Sequence, residues 1–251
     1  MSKINVNTWE PESSTALTMG ASGDTTTVPS GASLVVASGA TINITDATQT
    51  GFPSAGFNSV QVFTASGTWT RPTDITKVIV EVQGGGSSGA ASADLDDASG
   101  GGGGGYAKKF VDVSSVTASV ITVGAGGTAV TAAPNVGIVG GASSWVDTAS
   151  GGSLTLTGSG GAAPSNGIYA GDGTGGTGTN GDINIQGGDG FPNNGGYAGK
   201  GGDSIFGFGG SLCHHSQGIG VARGYGAGGG GGANTSGGAG TGGIVIVWEY
   251  K

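Results

Sequence analysis

Glycine recurs every third residue through much of the second half of this chain, and that beat restricts what the backbone can do. From Gly175 the phase runs through Gly178, Gly181, Asn184, Gly187, Gly190, Asn193, Gly196, Gly199 and Gly202. A second run reads Gly228, Gly231, Asn234, Gly237, Gly240 and Gly243. Three residues is the repeat of the polyproline II helix, which makes no internal hydrogen bonds and leaves its N–H and C=O groups free to bond elsewhere. The beat therefore predicts extended glycine helices packed side by side, with function on the loops between them. Such a chain is a rigid scaffold for recognition rather than an enzyme.

Sixty glycines and seven prolines among 251 residues would by themselves suggest a disordered chain. Each ordered glycine costs roughly 0.5–1 kcal/mol relative to alanine, so a folded chain needs a compensating interaction. Two features argue that it folds. Hydrophobic residues make up 35% and charged residues only 10%, the reverse of a disordered composition. A residue without a side chain also lets neighbouring backbones approach closely enough for N–H, C=O and Cα–H groups to bond between segments.

The formal net charge is -8 and the isoelectric point about 4.4. No basic patch exists to neutralise phosphates, which excludes a nucleic-acid partner and disfavours anionic membrane surfaces. No stretch approaches the ~20 apolar residues of a membrane span, so no membrane insertion is expected. The start, Met1-Ser2-Lys3-Ile4-Asn5, lacks the apolar core of a secretion signal, and synthesis in a cytoplasm is expected. The single Cys213 rules out an intrachain disulfide framework.

Three regions follow from the pattern. Residues 1–20 are polar with isolated anchors, among them Ile4, Val6 and Trp9, and read as a docking arm. Residues 21–50 carry a short repeat: Ala21-Ser22-Gly23, Pro29-Ser30-Gly31 and Ala37-Ser38-Gly39 recur every eight residues, each followed by alternating apolar positions. Units this small cannot bury an apolar face alone, and a run of three makes sense as a stalk if two more chains supply the missing walls. Residues 51–251 hold the strand signals: Val60 to Phe63, Thr76 to Val82, Tyr106 to Val113, Val120 to Val123 and Ile244 to Tyr250. Trp69-Thr70-Arg71-Pro72 reads as a corner, because the proline pushes Arg71 into extended geometry. No window has helical periodicity. The expected fold is all-β: a short β-repeat stalk, then a glycine-rich β-sandwich-like domain with polyglycine II segments.

One ordered set of segments is familiar. Val62-Phe63-Thr64-Ala65-Ser66-Gly67-Thr68-Trp69-Thr70-Arg71-Pro72 leads into Val78-Ile79-Val80-Glu81-Val82-Gln83-Gly84-Gly85-Gly86. Gly100 to Gly105 precede Tyr106-Ala107, and Ile121-Thr122-Val123 precede Gly124-Ala125-Gly126-Gly127. The end runs from Gly224-Tyr225-Gly226-Ala227 through Gly228 to Gly232, then Gly242-Gly243-Ile244-Val245-Ile246-Val247. This arrangement, over roughly residues 56–251, resembles the glycine-rich C-terminal domain of bacteriophage tail fibre and receptor-binding proteins. The resemblance implies a structural virion protein that attaches the phage to a host cell, as a homotrimer whose N-terminus meets other virion tail proteins. The implied receptor is a host surface saccharide or an outer-membrane protein. In the distal adhesins of T-even-like phages, polyglycine II helices form a stack and the loops between glycine motifs select the receptor. The family shares no catalytic motif, and the resemblance implies no cofactor.

Two interruptions of the glycine pattern are candidate receptor contacts. Phe191-Pro192-Asn193-Asn194 with Tyr197 brings aromatic and amide groups together, as a saccharide or outer-membrane loop would require. Leu212-Cys213-His214-His215-Ser216-Gln217 holds both histidines and the only cysteine. Candidate contacts are Phe191, Asn193, Asn194, Tyr197, Leu212, His214, His215 and Gln217. Cysteine and histidine are good zinc ligands, but adjacent residues rarely ligate one ion together and no second cluster completes a site, so no metal is assigned. Asp94-Leu95-Asp96-Asp97 lacks the EF-hand spacing and reads as a solvated acidic loop. No catalytic residue is assigned, because a nucleophile needs a positioned base and the histidines lie only beside Cys213. Alternative readings are a head fibre or decoration protein with no receptor role, and an ice-binding protein, for which Thr174 and Thr177 are the only hint of a flat array.

Overall fold

The computed structural model describes residues 56–92, 98–131, 135–147, 154–165, 172–192, 196–214, 220–232 and 236–251, all within one compact unit, Pro53–Lys251. The arm and the octapeptide repeat of residues 1–50, with Ile4, Val6 and Trp9, lie outside the described residues. So do Asp94 to Asp97, Asn193, Asn194, His215 and Gln217.

The described chain is all-β. Its strands are β1 (Phe57–Phe63), β2 (Gly67–Thr70), β3 (Lys77–Gln83), β4 (Tyr106–Asp112), β5 (Ala118–Thr122), β6 (Ser143–Asp147) and β7 (Thr155–Gly158). The shorter ones are β8 (Gly178–Thr179), β9 (Ile183–Ile185), β10 (Tyr197–Ala198), β11 (Phe206–Phe208), β12 (Cys213–His214) and β13 (Arg223–Tyr225), and β14 (Ile244–Tyr250) closes the chain. Two five-stranded antiparallel sheets carry the orders β1-β14-β3-β4-β9 and β2-β5-β6-β7-β8. Two further pairs, β10-β12 and β11-β13, stand apart from them.

The two large sheets share one apolar core. The alternation in β3 buries Val78, Val80 and Val82 completely, and they cluster with Val245 and Val247 of β14 and Ala107 of β4. From the second sheet come Trp69 of β2, Ile121 of β5, Trp145 of β6 and Leu156 of β7. Period-two alternation places every second side chain on this face. Buried carboxylates are paired, as burial demands: Glu249 accepts from Ser59 Oγ, from Gln61 Nε2 at 2.7 Å and from Trp69 Nε1 at 2.8 Å. Glu81 accepts from Tyr106 Oη at 2.6 Å and Trp248 Nε1 at 2.8 Å. The resulting desolvation, followed by the hydrogen bond and charge of Glu81, pushes the Tyr106 hydroxyl far above its ordinary pKa.

The expected strands are all present, with ends shifted by at most three residues, the largest at the start of β1. Trp69 and Thr70 close strand β2 before the chain turns at Arg71-Pro72, so the expected corner is preceded by a paired strand. Strands β6 and β7 have no counterpart among the expected strands. Their sequences, Ser143-Ser144-Trp145-Val146-Asp147 and Thr155-Leu156-Thr157-Gly158, each bury a single large apolar residue, Trp145 and Leu156, and are too short to show a sustained apolar alternation.

At one end of the sandwich the strands run on without side chains. Gln83, Tyr106, Ile185 and Ile244 pair with one another in a single row across the first sheet, and each is continuous with a glycine segment. Chain excursions leave β3 at Gly84 and return to β4 through Gly105, leave β7 at Ser159 and return to β8 through Thr177, and leave β9 at Gln186. The glycine phase from Gly175 to Gly202 is therefore not one straight segment. Strands β8 and β9 interrupt it, with Asn180 at φ 63° in the reversal between them, and the pieces 172–177, 186–191 and 199–203 fold back beside each other. Gly187 and Gly190 donate to Gly176 and Gly173, while Gly188 and Phe191 donate to Asp203 and Lys200.

The glycine segments bond in a pattern that strands do not make. Along 84–91, Gly84, Ser87 and Ala90 donate to Gly105, Gly102 and Ser99; Gly85, Ser88 and Ala91 donate to Gly141, Ile138 and Asn135; Gly86 and Gly89 donate to Thr241 and Gly238, and Ser92 leaves the pattern by donating to Gly232. Successive N–H groups thus address three neighbours in rotation, returning to the same one every third residue. A strand, with its period of two, reaches only two neighbours. The segment 98–105 lies deepest. It donates to 188–191, 226–229 and 159–162, and accepts from 84–90, 173–176 and 199–202, so six segments surround it.

That packing excludes side chains at its centre. A Cβ added to Gly103 would lie 2.2 Å from the carbonyl oxygen of Asp203, and one added to Gly104 would lie 2.1 Å from that of Gly84. Real Cβ atoms do not approach so closely, and the contact is with backbone that cannot swing aside. The Gln83 amide seals the junction between sandwich and glycine segments by donating to the Gly104 carbonyl at 2.7 Å.

Candidate functional site

The described candidate residues converge. Phe191 ends the glycine segment that leaves β9, and its backbone is fixed on both sides: its N–H donates to Lys200 at 2.8 Å and its carbonyl accepts from Gly100 at 3.0 Å. Its side chain is nonetheless 56% exposed. Strand β10 pairs with β12 so that Tyr197 stands opposite His214 and Ala198 opposite Cys213. The Tyr197 and His214 rings meet edge to face, centroids 5.2 Å apart. Leu212 enters β12 half exposed.

Between these elements lies a groove of about 360 Å³ lined by Phe191, Pro192, Tyr197, Lys200 and Leu212. Three residues named from sequence, Phe191, Tyr197 and Leu212, thus form one surface although they come from two separate interruptions of the glycine pattern. His214 supports the Tyr197 ring and is not among the lining residues. Asn193, Asn194, His215 and Gln217 lie outside the described residues.

A second pocket of about 500 Å³ adjoins the first, sharing Phe191, Pro192 and Lys200 and adding Asp172, Asp189 and Asp203. Sequence reading missed this acidic side, because the three aspartates are spread over 32 positions and only the folding back of the glycine segments joins them. Lys200 Nζ binds Asp203 Oδ2 at 2.7 Å. Burial alone would raise the Asp203 carboxyl, but hydrogen bonds from Lys200 and the Gly209 N–H, with the Lys200 charge, hold it below the ordinary value. Asp189 Oδ1 accepts the Gly175 N–H at 2.7 Å. Asp172 Oδ1 is buried with no hydrogen-bond partner among the described residues. Desolvation, then the nearby charge of Asp189, raises its carboxyl above the ordinary value.

Cys213 Sγ has its nearest polar partner in the Ser211 carbonyl at 3.7 Å. Among the described residues, no group of three or more histidine, cysteine, aspartate or glutamate side chains converges to hold a metal ion. The arrangement offers an aromatic and aliphatic wall beside an acidic recess, on backbone that cannot yield.

Across residues 61–250 the chain matches the family described as the glycine-rich domain. It belongs to that family. The match spans both sheets, every described glycine segment and the groove, so the site is part of the glycine-rich domain itself rather than an addition to it. No curated protein matches the chain.

Proposed function

We propose that this chain is a structural virion protein, a bacteriophage tail fibre that attaches the particle to a host cell surface receptor through loops of its glycine-rich domain. The observation that carries the reading is the groove at Phe191. An exposed aromatic anchor on a backbone hydrogen-bonded from both sides is the feature a recognition surface needs, because little conformational entropy remains to be lost on binding. In this reading residues 1–20 dock on the virion, residues 21–50 form a trimeric stalk and the glycine segments are polyglycine II helices. The rotation of their donors among three neighbours supports that geometry, since successive residues of a three-fold helix point about 120° apart.

The reading is tested by adsorption competition. Purified full-length protein, added to host cells before the phage, is expected to block virion adsorption in a dose-dependent way. Protein that neither binds host cells nor competes removes the receptor role and leaves a purely structural fibre.

A further inference from the structure

We propose that the Phe191 groove and its acidic neighbour together bind a polypeptide segment in which a large apolar side chain stands next to an arginine or lysine. The inference rests on the attachment reading and assigns the chemistry of the receptor at that site.

The two pockets are complementary to the two halves of such a segment. The first offers Phe191, Pro192, Tyr197 and Leu212 as an apolar wall, and its volume of about 360 Å³ falls within the range of pockets that bury a ligand group. The second places Asp172, Asp189 and Asp203 against a single cation, Lys200. Lys200 is held by Asp203, so Asp172 and Asp189 face the recess with no cation between them among the described residues. Asp189 has one backbone donor, and the buried Oδ1 of Asp172 has none. A guanidinium or ammonium entering here would offset the charge of the two carboxylates and relieve the repulsion between them. Hydrogen bonds to ionised groups in such sites are the strong ones.

The test uses full-length protein and three dye-labelled probes read by fluorescence anisotropy: the peptide Gly-Leu-Arg-Gly, the same peptide with citrulline in place of arginine, and glucosamine. Citrulline keeps the shape of arginine and removes its charge. The arginine peptide is expected to bind about tenfold tighter than the citrulline peptide, the margin of a hydrogen-bonded charge. The double variant Asp172→Asn/Asp189→Asn should erase that margin, and Leu212→Ser should weaken both peptides, with a single cooperative thermal transition showing that the variants fold. Equal affinity of the two peptides, no binding of either, or binding of glucosamine alone overturns the proposal. If the protein blocks adsorption while the arginine peptide shows no preference, this inference falls and the attachment reading stands. If the peptide preference holds and adsorption is not blocked, the reverse is true.

Discussion

The N–H of Phe191 donates to the carbonyl of Lys200 at 2.8 Å, and the two side chains then line both the apolar groove and the acidic recess. One backbone hydrogen bond between adjacent glycine segments therefore sets the spacing between the aromatic wall and the charged one. Recognition geometry here follows from peptide contacts, and damage to the glycine packing should reach the groove.

Gly103→Ala tests that packing. Its Cβ would fall 2.2 Å from the Asp203 carbonyl, and a clash with fixed backbone belongs among the severe substitutions, about 4 kcal/mol or more. Gly67→Ala is the matched control, since nothing lies within 4 Å of its Cβ. It should be neutral or stabilise by up to about 1 kcal/mol through the unfolded chain. Thermal unfolding of the two variants side by side checks both; equal midpoints would show that the glycines are not required by close approach.

Glu249→Leu should destabilise the sandwich. It removes the acceptor for Ser59, Gln61 and Trp69 and leaves the buried indole N–H of Trp69 unpaired, at about 1–3 kcal/mol for that group alone. The denaturation midpoint in urea should fall with little change in the slope. Glu249→Gln, which keeps one acceptor oxygen, should lose less.

Asp172 and Asp203 should respond to acid in opposite ways. The folded carboxyl of Asp172 lies above the ordinary 3.8, so its ionised form subtracts from stability at neutral pH, and relief comes as pH falls through the folded value. Asp172→Asn should then raise the melting temperature near neutrality, with the advantage fading as pH falls through the folded value and gone below the ordinary 3.8. Asp203 lies below 3.8, so it contributes stability above that value and loses it as pH falls through its folded value. Asp203→Asn should melt lower at neutral pH, by an amount that shrinks in acid. Melting curves of both variants from neutral pH to about pH 3 decide the matter.

Light scattering coupled to size exclusion should return three times 23.6 kDa, about 71 kDa, if the octapeptide repeat builds a three-chain stalk. A mass of one chain would remove the stalk from the proposed function and leave the groove untouched.

The sandwich was legible because its strands obey a local rule. Val78, Val80 and Val82 alternate with Lys77, Ile79 and Glu81, and the valines are the ones that join the apolar core, while Glu81 is buried among polar partners. Strands β6 and β7 escaped because Ser143, Ser144, Thr155 and Thr157 look like loop residues until cross-strand partners select them. In the groove, Phe191, Tyr197 and Leu212 stood out as large side chains among glycines. Asp172 and Asp189 did not, since nothing local links them to each other or to Lys200. Their proximity is a consequence of which glycine segment lies beside which, and that is decided by hydrogen bonds between residues far apart in the chain.

The rotation of donors among three neighbours gives the backbone a reading frame. Three residues inserted into the 84–91 segment would return every later N–H to its own neighbour. One or two would turn each of them toward a wrong one, as a frameshift scrambles every codon after it. Changes in length within these segments are therefore expected to come in threes, while the connections between them are free of that arithmetic.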